Sequence, residues 1–133
     1  MIAGVADTHA ALWFLFGDPR LSAVAKDFFD KAAAARQKIA LTPISLAEVV
    51  YPIEKNRLPA SAFDDLRTAL SNPNHVLEEA PFTAEVVQAM RQVPRDAIPD
   101  MPDRIVAATA VFLGVPLISR DGRIRASTVR TVW

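Results

Sequence analysis

The chain has 133 residues, of which 51% are hydrophobic, so it is long enough to bury a core and is most simply a single domain over residues 1–133. The absence of cysteine excludes disulfides and thiolate metal sites, and it fits a reducing cytoplasmic location. A formal net charge of zero excludes a strong overall attraction to nucleic acid, so any such binding must come from a local basic patch.

Short apolar segments alternate with longer stretches of helical spacing along the chain. The predicted strand 2–6 is followed by helices within 8–16 and 22–37, and strand 38–42 by helices within 45–56 and 61–70. Strand 75–79 is followed by helices within 83–93 and 104–114, and strands 115–119 and 128–133 complete the series. Strands separated by helices predict an α/β fold, a three-layer α/β/α sandwich around a mostly parallel central sheet.

Several residues mark where the predicted helices begin, end and face the core. Ser22, Ser61 and Thr83 are predicted N-caps, and Gly114 is a typical residue just beyond a helix end. Pro52 is expected to kink or end the helix within 45–56. The predicted buried face of that helix carries Leu46, Val49, Val50 and Ile53.

Four acids come close to the carboxyl ends of the predicted strands, where open α/β sheets usually bind their ligands. Asp7 directly follows the first strand, Asp121 follows the fourth, and Glu48 lies about one turn into the helix after the second. Asp103 lies in the first turn of the helix that leads into the fourth strand. Converging carboxylates repel one another, and a hard cation such as Mg²⁺ or Mn²⁺ removes that penalty. With no cysteine and only two histidines, zinc is disfavoured.

Each of these acids also has a simpler structural interpretation. Asp7 can cap the next helix, Glu48 can be a solvated acid on an amphipathic helix, and Asp121 before a glycine can be a turn residue. In DMPDRIVAATAVFLG (100–114), capping and the helix dipole would account for both Asp100 and Asp103. Only the joint placement of the four acids favours a site.

Four segments together resemble the PIN domain, and more narrowly the VapC-type toxins of bacterial toxin–antitoxin pairs. They are ADTHAALWFL (6–15), ISLAEVV (44–50), DMPDRIVAATA (100–110) and GVPLISRDGRIR (114–125). The resemblance implies an endoribonuclease dependent on Mg²⁺ or Mn²⁺, with Asp7, Glu48, Asp103 and Asp121 as its catalytic and metal-binding acids. In this reading Asp100 is the cap and Asp103 the ligand.

Hydroxyl groups near these acids are expected to support them. Ser45 and Ser119 match positions that carry supporting hydroxyls in the family, and Thr8 is expected to orient a neighbouring carboxylate from the first turn of its helix. His9 is expected to be structural, and Trp13 and Phe16 to pack in the core or an interface rather than to stack on bases. The sequence departs from the family pattern at Pro99, where many relatives carry His or Arg, and at Tyr51 and Pro52.

The segment RDGRIRASTVR (120–130) concentrates arginine, whose planar charged fork suits phosphate. The candidates for contacts with an RNA backbone are Arg104, Arg120, Arg123 and Arg125, with Arg130 in the same segment. The alternative is that these arginines only keep the surface soluble.

The resemblance also implies partners. They are an RNA substrate, a second copy of the chain in a homodimer, and a small VapB-like antitoxin whose Arg or Lys reaches the acids and which alone would bring the protein to DNA. The serious alternative is a catalytically silent PIN-like domain that binds protein or RNA. No basic segment precedes the first apolar residues, and no apolar run approaches the roughly 20 residues that span a bilayer. We therefore expect neither a secretory signal nor a membrane partner.

Overall fold

Five short strands form a parallel sheet in the computed structural model, which describes all 133 residues. The strands are β1 (Ile2–Ala6), β2 (Lys38–Leu41), β3 (Leu77–Glu79), β4 (Leu117–Ile118) and β5 (Thr131–Val132). They lie in the order β3-β2-β1-β4-β5, and every neighbouring pair is parallel. The predicted parallel sheet is confirmed, and each strand lies within its predicted segment.

Seven helices cover the sheet. They are α1 (Thr8–Leu15), α2 (Ala23–Ala34), α3 (Pro43–Glu54), α4 (Ser61–Ser71), α5 (Ala84–Met90), α6 (Met101–Leu113) and α7 (Gly122–Ala126). The short helix α7 was not predicted from the sequence. None of the seven has the length and apolar character that a membrane crossing requires.

Alternate residues of the strands supply two separate hydrophobic cores, one on each face of the sheet. Ile39 and Leu41 of β2 pack with α1 to α4, whereas Ala40 between them packs with α5 to α7. In β4, Ile118 joins the first core and Leu117 the second. Because side chains of a strand alternate between faces, this division confirms the predicted three-layer α/β/α sandwich.

The helix boundaries confirm some of the predicted signals and correct others. Ser22 and Thr83 cap α2 and α5 by accepting hydrogen bonds from backbone N–H groups, and Gly114 adopts a left-handed φ of 68° after α6. Ser61 is the first residue of α4 rather than its cap. Ala60 holds the cap position without a side-chain bond, and a backbone bond from Ala62 to Pro59 closes the first turn instead.

Helix α3 runs through Pro52 and ends two residues later, at Glu54. Its buried stripe is also narrower than predicted. Leu46 and Val49 are buried and Ile53 packs against them, but Val50 is 38% exposed. One helical step of about 100° separates Val50 from Val49, so Val50 lies at the edge of the stripe.

Candidate functional site

A cavity of about 440 Å³ opens where β1 and β4 end, and acids dominate its lining. Five carboxylates contribute to it, one more than the sequence analysis assigned to the site. The lining acids are Asp7, Glu48, Asp100, Asp103 and Asp121, and the other lining residues are Thr8, His9, Trp13, Val106, Arg120 and Trp133. We call this the acidic cavity. All four of the acids predicted from the sequence therefore line one cavity.

Asp7 and Asp121 each cap the helix that follows them. Asp7 Oδ1 accepts a 2.9 Å hydrogen bond from the N–H of Ala10, and Asp121 Oδ1 accepts a 3.0 Å bond from the N–H of Ile124. The N–H of Asp121 in turn donates to Ser119 Oγ at 3.0 Å. Capping and lining the cavity are thus compatible, because one carboxylate oxygen is enough for the cap.

Glu48 projects from α3 and is held by a residue of α1. Thr8 Oγ1 donates a 2.7 Å hydrogen bond to Glu48 Oε1. Ser45, one turn earlier on α3, does not share this role, since its hydroxyl is buried without a hydrogen-bond partner. The side chain that orients Glu48 in the structure is therefore Thr8.

Asp100 and Asp103 stand at the start of α6 and both line the cavity. Asp100 Oδ2 accepts a 3.1 Å hydrogen bond from the N–H of Asp103, so Asp100 is the N-cap of α6. From the sequence, Asp100 was predicted to be only the cap, and its place in the lining of the cavity is an additional finding. No sequence signal separates these two functions of an acid at a helix start.

Burial, together with the crowding of acids, raises the pKa values of three of these carboxyl groups. Burial and, after it, the charges of the other four acids together raise the pKa of Asp103 to about 7. Burial also raises the pKa of Asp7, which the Ser119 hydroxyl partly offsets. The pKa of Glu48 is raised by burial and partly lowered again by the hydrogen bond from Thr8. No Lys or Arg forms a salt bridge with any of these acids.

The donor set of the cavity suits a hard divalent cation, although the acids do not form a compact cluster. No group of three or more His, Asp and Glu side chains is close enough together to hold a metal ion as it stands. The available donors are oxygen atoms apart from His9, and their mutual repulsion is the kind that Mg²⁺ or Mn²⁺ relieves. The residues fit such an ion in their chemistry, and binding it would require their side chains to draw together.

Arg104 does not line the acidic cavity, and its contact with RNA stays a prediction. Its Nε donates to the carbonyl oxygen of Val93 at 2.8 Å and its Nη2 to that of Met90 at 2.9 Å. The side chain therefore fastens the connection between α5 and α6. Sequence reasoning had no means of detecting these two carbonyl acceptors.

The remaining candidate arginines differ in position. Arg120 lines the acidic cavity, whereas Arg123 and Arg125 are exposed on α7 and outside its lining. Arg130 Nη2 donates a 3.3 Å hydrogen bond to the carbonyl oxygen of Gly114. Of the basic residues predicted to contact RNA, the structure brings only Arg120 to the acids.

The Trp13 and Trp133 side chains both line the cavity, and neither was predicted there from the sequence. Trp13 is 5% exposed, whereas Phe16, expected to pack like it, is 46% exposed. Trp133 follows β5, and the pairing of β5 with β4 brings it beside the site. The position of Trp133 therefore depends on which strand β5 pairs with, and the composition of the segment does not specify that pairing.

The PIN domain profile matches residues 5–128 of this chain. Three solved structures share the fold over 98% of this chain and 97% of their own: VapBC2 from Rickettsia felis bound to a promoter DNA fragment, DNA-bound VapBC from Salmonella typhimurium, and a toxin–antitoxin complex from Klebsiella pneumoniae. Their respective sequence identities are 18%, 14% and 20%, with TM-scores of 0.71, 0.70 and 0.65. No curated protein sequence matches the chain significantly.

Proposed function

The chain belongs to the PIN-domain family, whose members are generally nucleases, and on this premise we propose that it is an endoribonuclease dependent on Mg²⁺ or Mn²⁺. The observation that carries the proposal is the acidic cavity, with five carboxylates and no salt bridge to any of them. An uncompensated group of this kind is costly for the fold, which is typical of a site kept for chemistry.

The proposed reaction is hydrolysis of an RNA phosphodiester that leaves a 5′-phosphate and a 3′-hydroxyl. Asp7, Asp103 and Glu48 are the residues that would hold the principal cation, and Asp121 would hold it through water or hold a second ion. A bound Mg²⁺ or Mn²⁺ supplies a water of lowered pKa and positive charge beside the phosphate. The protein orients these ligands, because helix caps hold one oxygen each of Asp7 and Asp121, and Thr8 holds one oxygen of Glu48.

We further propose that the protein is the toxin of a VapBC-type pair. Three of the solved structures that share its fold are described as VapBC or toxin–antitoxin complexes, two of them bound to DNA. A VapB-like antitoxin would place an Arg or Lys among the carboxylates and so replace the charge of the metal. Contact with DNA would be made by the antitoxin, and the toxin would form a homodimer.

The test is cleavage of a short fluorogenic RNA by the purified protein with Mn²⁺, with Mg²⁺ and with EDTA. Cleavage is expected with either metal and not with EDTA, and Asp103→Asn should lower it by about a hundredfold or more. The matched control is Asp65→Asn, the same chemical change at an exposed position of α4, which should cleave like the wild type. Equal activity in Asp103→Asn would exclude the assigned role of Asp103 or reveal a contaminating nuclease.

The second candidate function is a PIN-like domain that binds protein or RNA without cleaving it. One observation favours it, namely that the acids do not form a compact metal-binding group. Mn²⁺ binding by calorimetry without cleavage of any RNA, after removal of a co-purified antitoxin, would select this alternative.

A further inference from the structure

Trp13 separates the acidic cavity from a second cavity beside it. The second cavity, of about 510 Å³, shares Thr8, His9, Trp13 and Glu48 with the first. Trp13 itself is 5% exposed, so its ring is covered by neighbouring groups rather than open to solvent. The groups that cover the ring therefore determine which interactions Trp13 makes.

Two guanidinium groups lie over the Trp13 ring, one from each cavity. The Arg120 Cζ atom is 4.6 Å from the ring centroid, and Arg120 lines the acidic cavity. The Arg20 Cζ atom is 5.0 Å from the same centroid, and Arg20 lines the second cavity. Both distances are within the range of a cation–π interaction.

One of these two arginines is paired with a carboxylate and the other is not. Arg20 donates to both carboxylate oxygens of Asp18, through Nε at 3.0 Å and through Nη2 at 2.7 Å. Arg120 has no carboxylate oxygen within 4.0 Å of its nitrogen atoms and makes no hydrogen bond through its side chain within the chain. It is unpaired although it shares its cavity with five acids.

The neighbouring rings of His9, Trp13 and Trp133 form what we call the aromatic shelf, and this shelf explains why Arg120 stays apart from the acids. The ring centroids of His9 and Trp133 lie 5.5 Å and 5.9 Å from that of Trp13 and hold its ring in place. The backbone on both sides of Arg120 is also fixed, because the N–H of Ser119 donates to the carbonyl oxygen of Val132 at 3.2 Å and the N–H of Asp121 to Ser119 Oγ at 3.0 Å. The Arg120 guanidinium group therefore lies over Trp13 and not against a carboxylate.

We propose that Trp13 is a positioning residue that holds the Arg120 guanidinium unpaired, so that Arg120 binds a phosphate of the RNA strand at the acidic cavity. This inference rests on the proposed nuclease function. A cavity rich in carboxylates repels a phosphodiester, and an unpaired cation at its wall offsets that repulsion. A guanidinium also presents two parallel donors to phosphate oxygens, a geometry that an ammonium group lacks.

The experiment compares RNA cleavage and metal-free RNA binding among variants at the shelf. Arg120→Ala should raise KM about tenfold with a smaller change in kcat, since a charged hydrogen bond to substrate is lost. It should also reduce the slope of log affinity against log salt concentration by about 0.7, the value for one phosphate contact on a single strand. Trp13→Leu should reproduce both changes, and the double variant should add nothing further.

Three further variants keep the result specific. Trp13→Phe retains an aromatic face and should stay near the wild type, which a loss of packing alone would not predict. Arg120→Lys should fall between wild type and Arg120→Ala, and it serves as the second test if Trp13→Leu does not fold. The matched control is Arg20→Ala, which removes the arginine that is already paired and should leave KM and the salt slope unchanged.

Each outcome has a distinct meaning. A wild-type KM and salt slope in Arg120→Ala, with metal-dependent cleavage intact, would overturn the inference and leave the proposed function standing. A normal KM in folded Trp13→Leu would overturn the positioning role of Trp13, and full activity in Arg120→Lys would overturn the requirement for a guanidinium group at this position. A wild-type protein that neither cleaves nor binds RNA would overturn the proposed function and this inference with it.

Discussion

Thr8 on α1 donates a 2.7 Å hydrogen bond to Oε1 of Glu48 on α3, and the two residues are 40 positions apart in the sequence. The bond joins the first turn of α1 to the middle of α3 and fixes one wall of the acidic cavity. It also lowers the pKa of Glu48 against the rise caused by burial. A single hydroxyl thereby both positions the carboxylate and favours its charged form.

Thr8→Val should weaken Mn²⁺ binding by about tenfold, because a partner that orients a metal-binding carboxylate is lost. The pKa of Glu48 should rise further, so the loss should be larger at pH 6 than at pH 8. Calorimetric titration of Mn²⁺ at both values measures this. Thr8→Ser, which keeps the donor, should bind like the wild type, and equal affinities in all three proteins would contradict the prediction.

Stability without metal should fall as the pH rises from about 4 to about 7. The pKa of Asp103 is about 7 in the fold against an ordinary 3.8, so the folded protein binds more protons than the unfolded chain between these values. The free energy of unfolding therefore decreases with pH across this window. Because Asp103 is only half-buried, solvent screening limits its share to about 1 kcal/mol.

Urea unfolding with EDTA at pH 4.5 and 7.5 measures this difference in stability. Asp103→Asn cannot ionise at that position and should show a smaller decrease, whereas Asp65→Asn should behave like the wild type. A decrease of the same size in Asp103→Asn would assign the effect to the other acids of the cavity.

Added Mn²⁺ should raise the thermal midpoint more at pH 7.5 than at pH 5. Cation binding to the folded state stabilises it, and protons compete for the same carboxylates at lower pH. Thermal unfolding at both pH values, with and without millimolar Mn²⁺, is the measurement. We expect the gain to disappear with EDTA and to be much reduced in Asp103→Asn. An equal gain at both pH values would indicate binding away from these acids.

Arg104→Ala should lower the stability of the protein and leave KM for RNA unchanged. The substitution leaves the carbonyl group of Val93 without its donor and removes one of the two donors to that of Met90, at a cost of about 1–3 kcal/mol. Urea unfolding and steady-state kinetics below the unfolding transition separate the two effects. An increase in KM with unchanged stability would restore the RNA-binding role that the sequence suggested for Arg104.

The sequence predicted the sheet and the meeting of the acids better than the details of the site, and the reasons are physical. Strand alternation and helix periodicity are local patterns, so the parallel sheet followed from them. Whether Arg104 contacts solvent or two carbonyl groups depends on a loop path that no local pattern encodes. The same holds for Trp133, which reaches Trp13 only because β5 pairs with β4. The prediction that Ser61 caps α4 was wrong for a local reason, because the carbonyl group of Pro59 accepts the hydrogen bond that closes the first turn.

The order of the strands explains why the acids meet where they do. From β1 the chain adds β2 and β3 on one side, then crosses back to add β4 and β5 on the other. The connections that leave β1 and β4 therefore diverge to opposite faces, and a crevice opens at this topological switch point. Asp7 and Asp121 stand on its two sides, Asp7 directly after β1 and Asp121 three residues beyond the end of β4. Connectivity thus creates a gap that no strand residue has to fill, and the side chains around it can vary without altering the sheet.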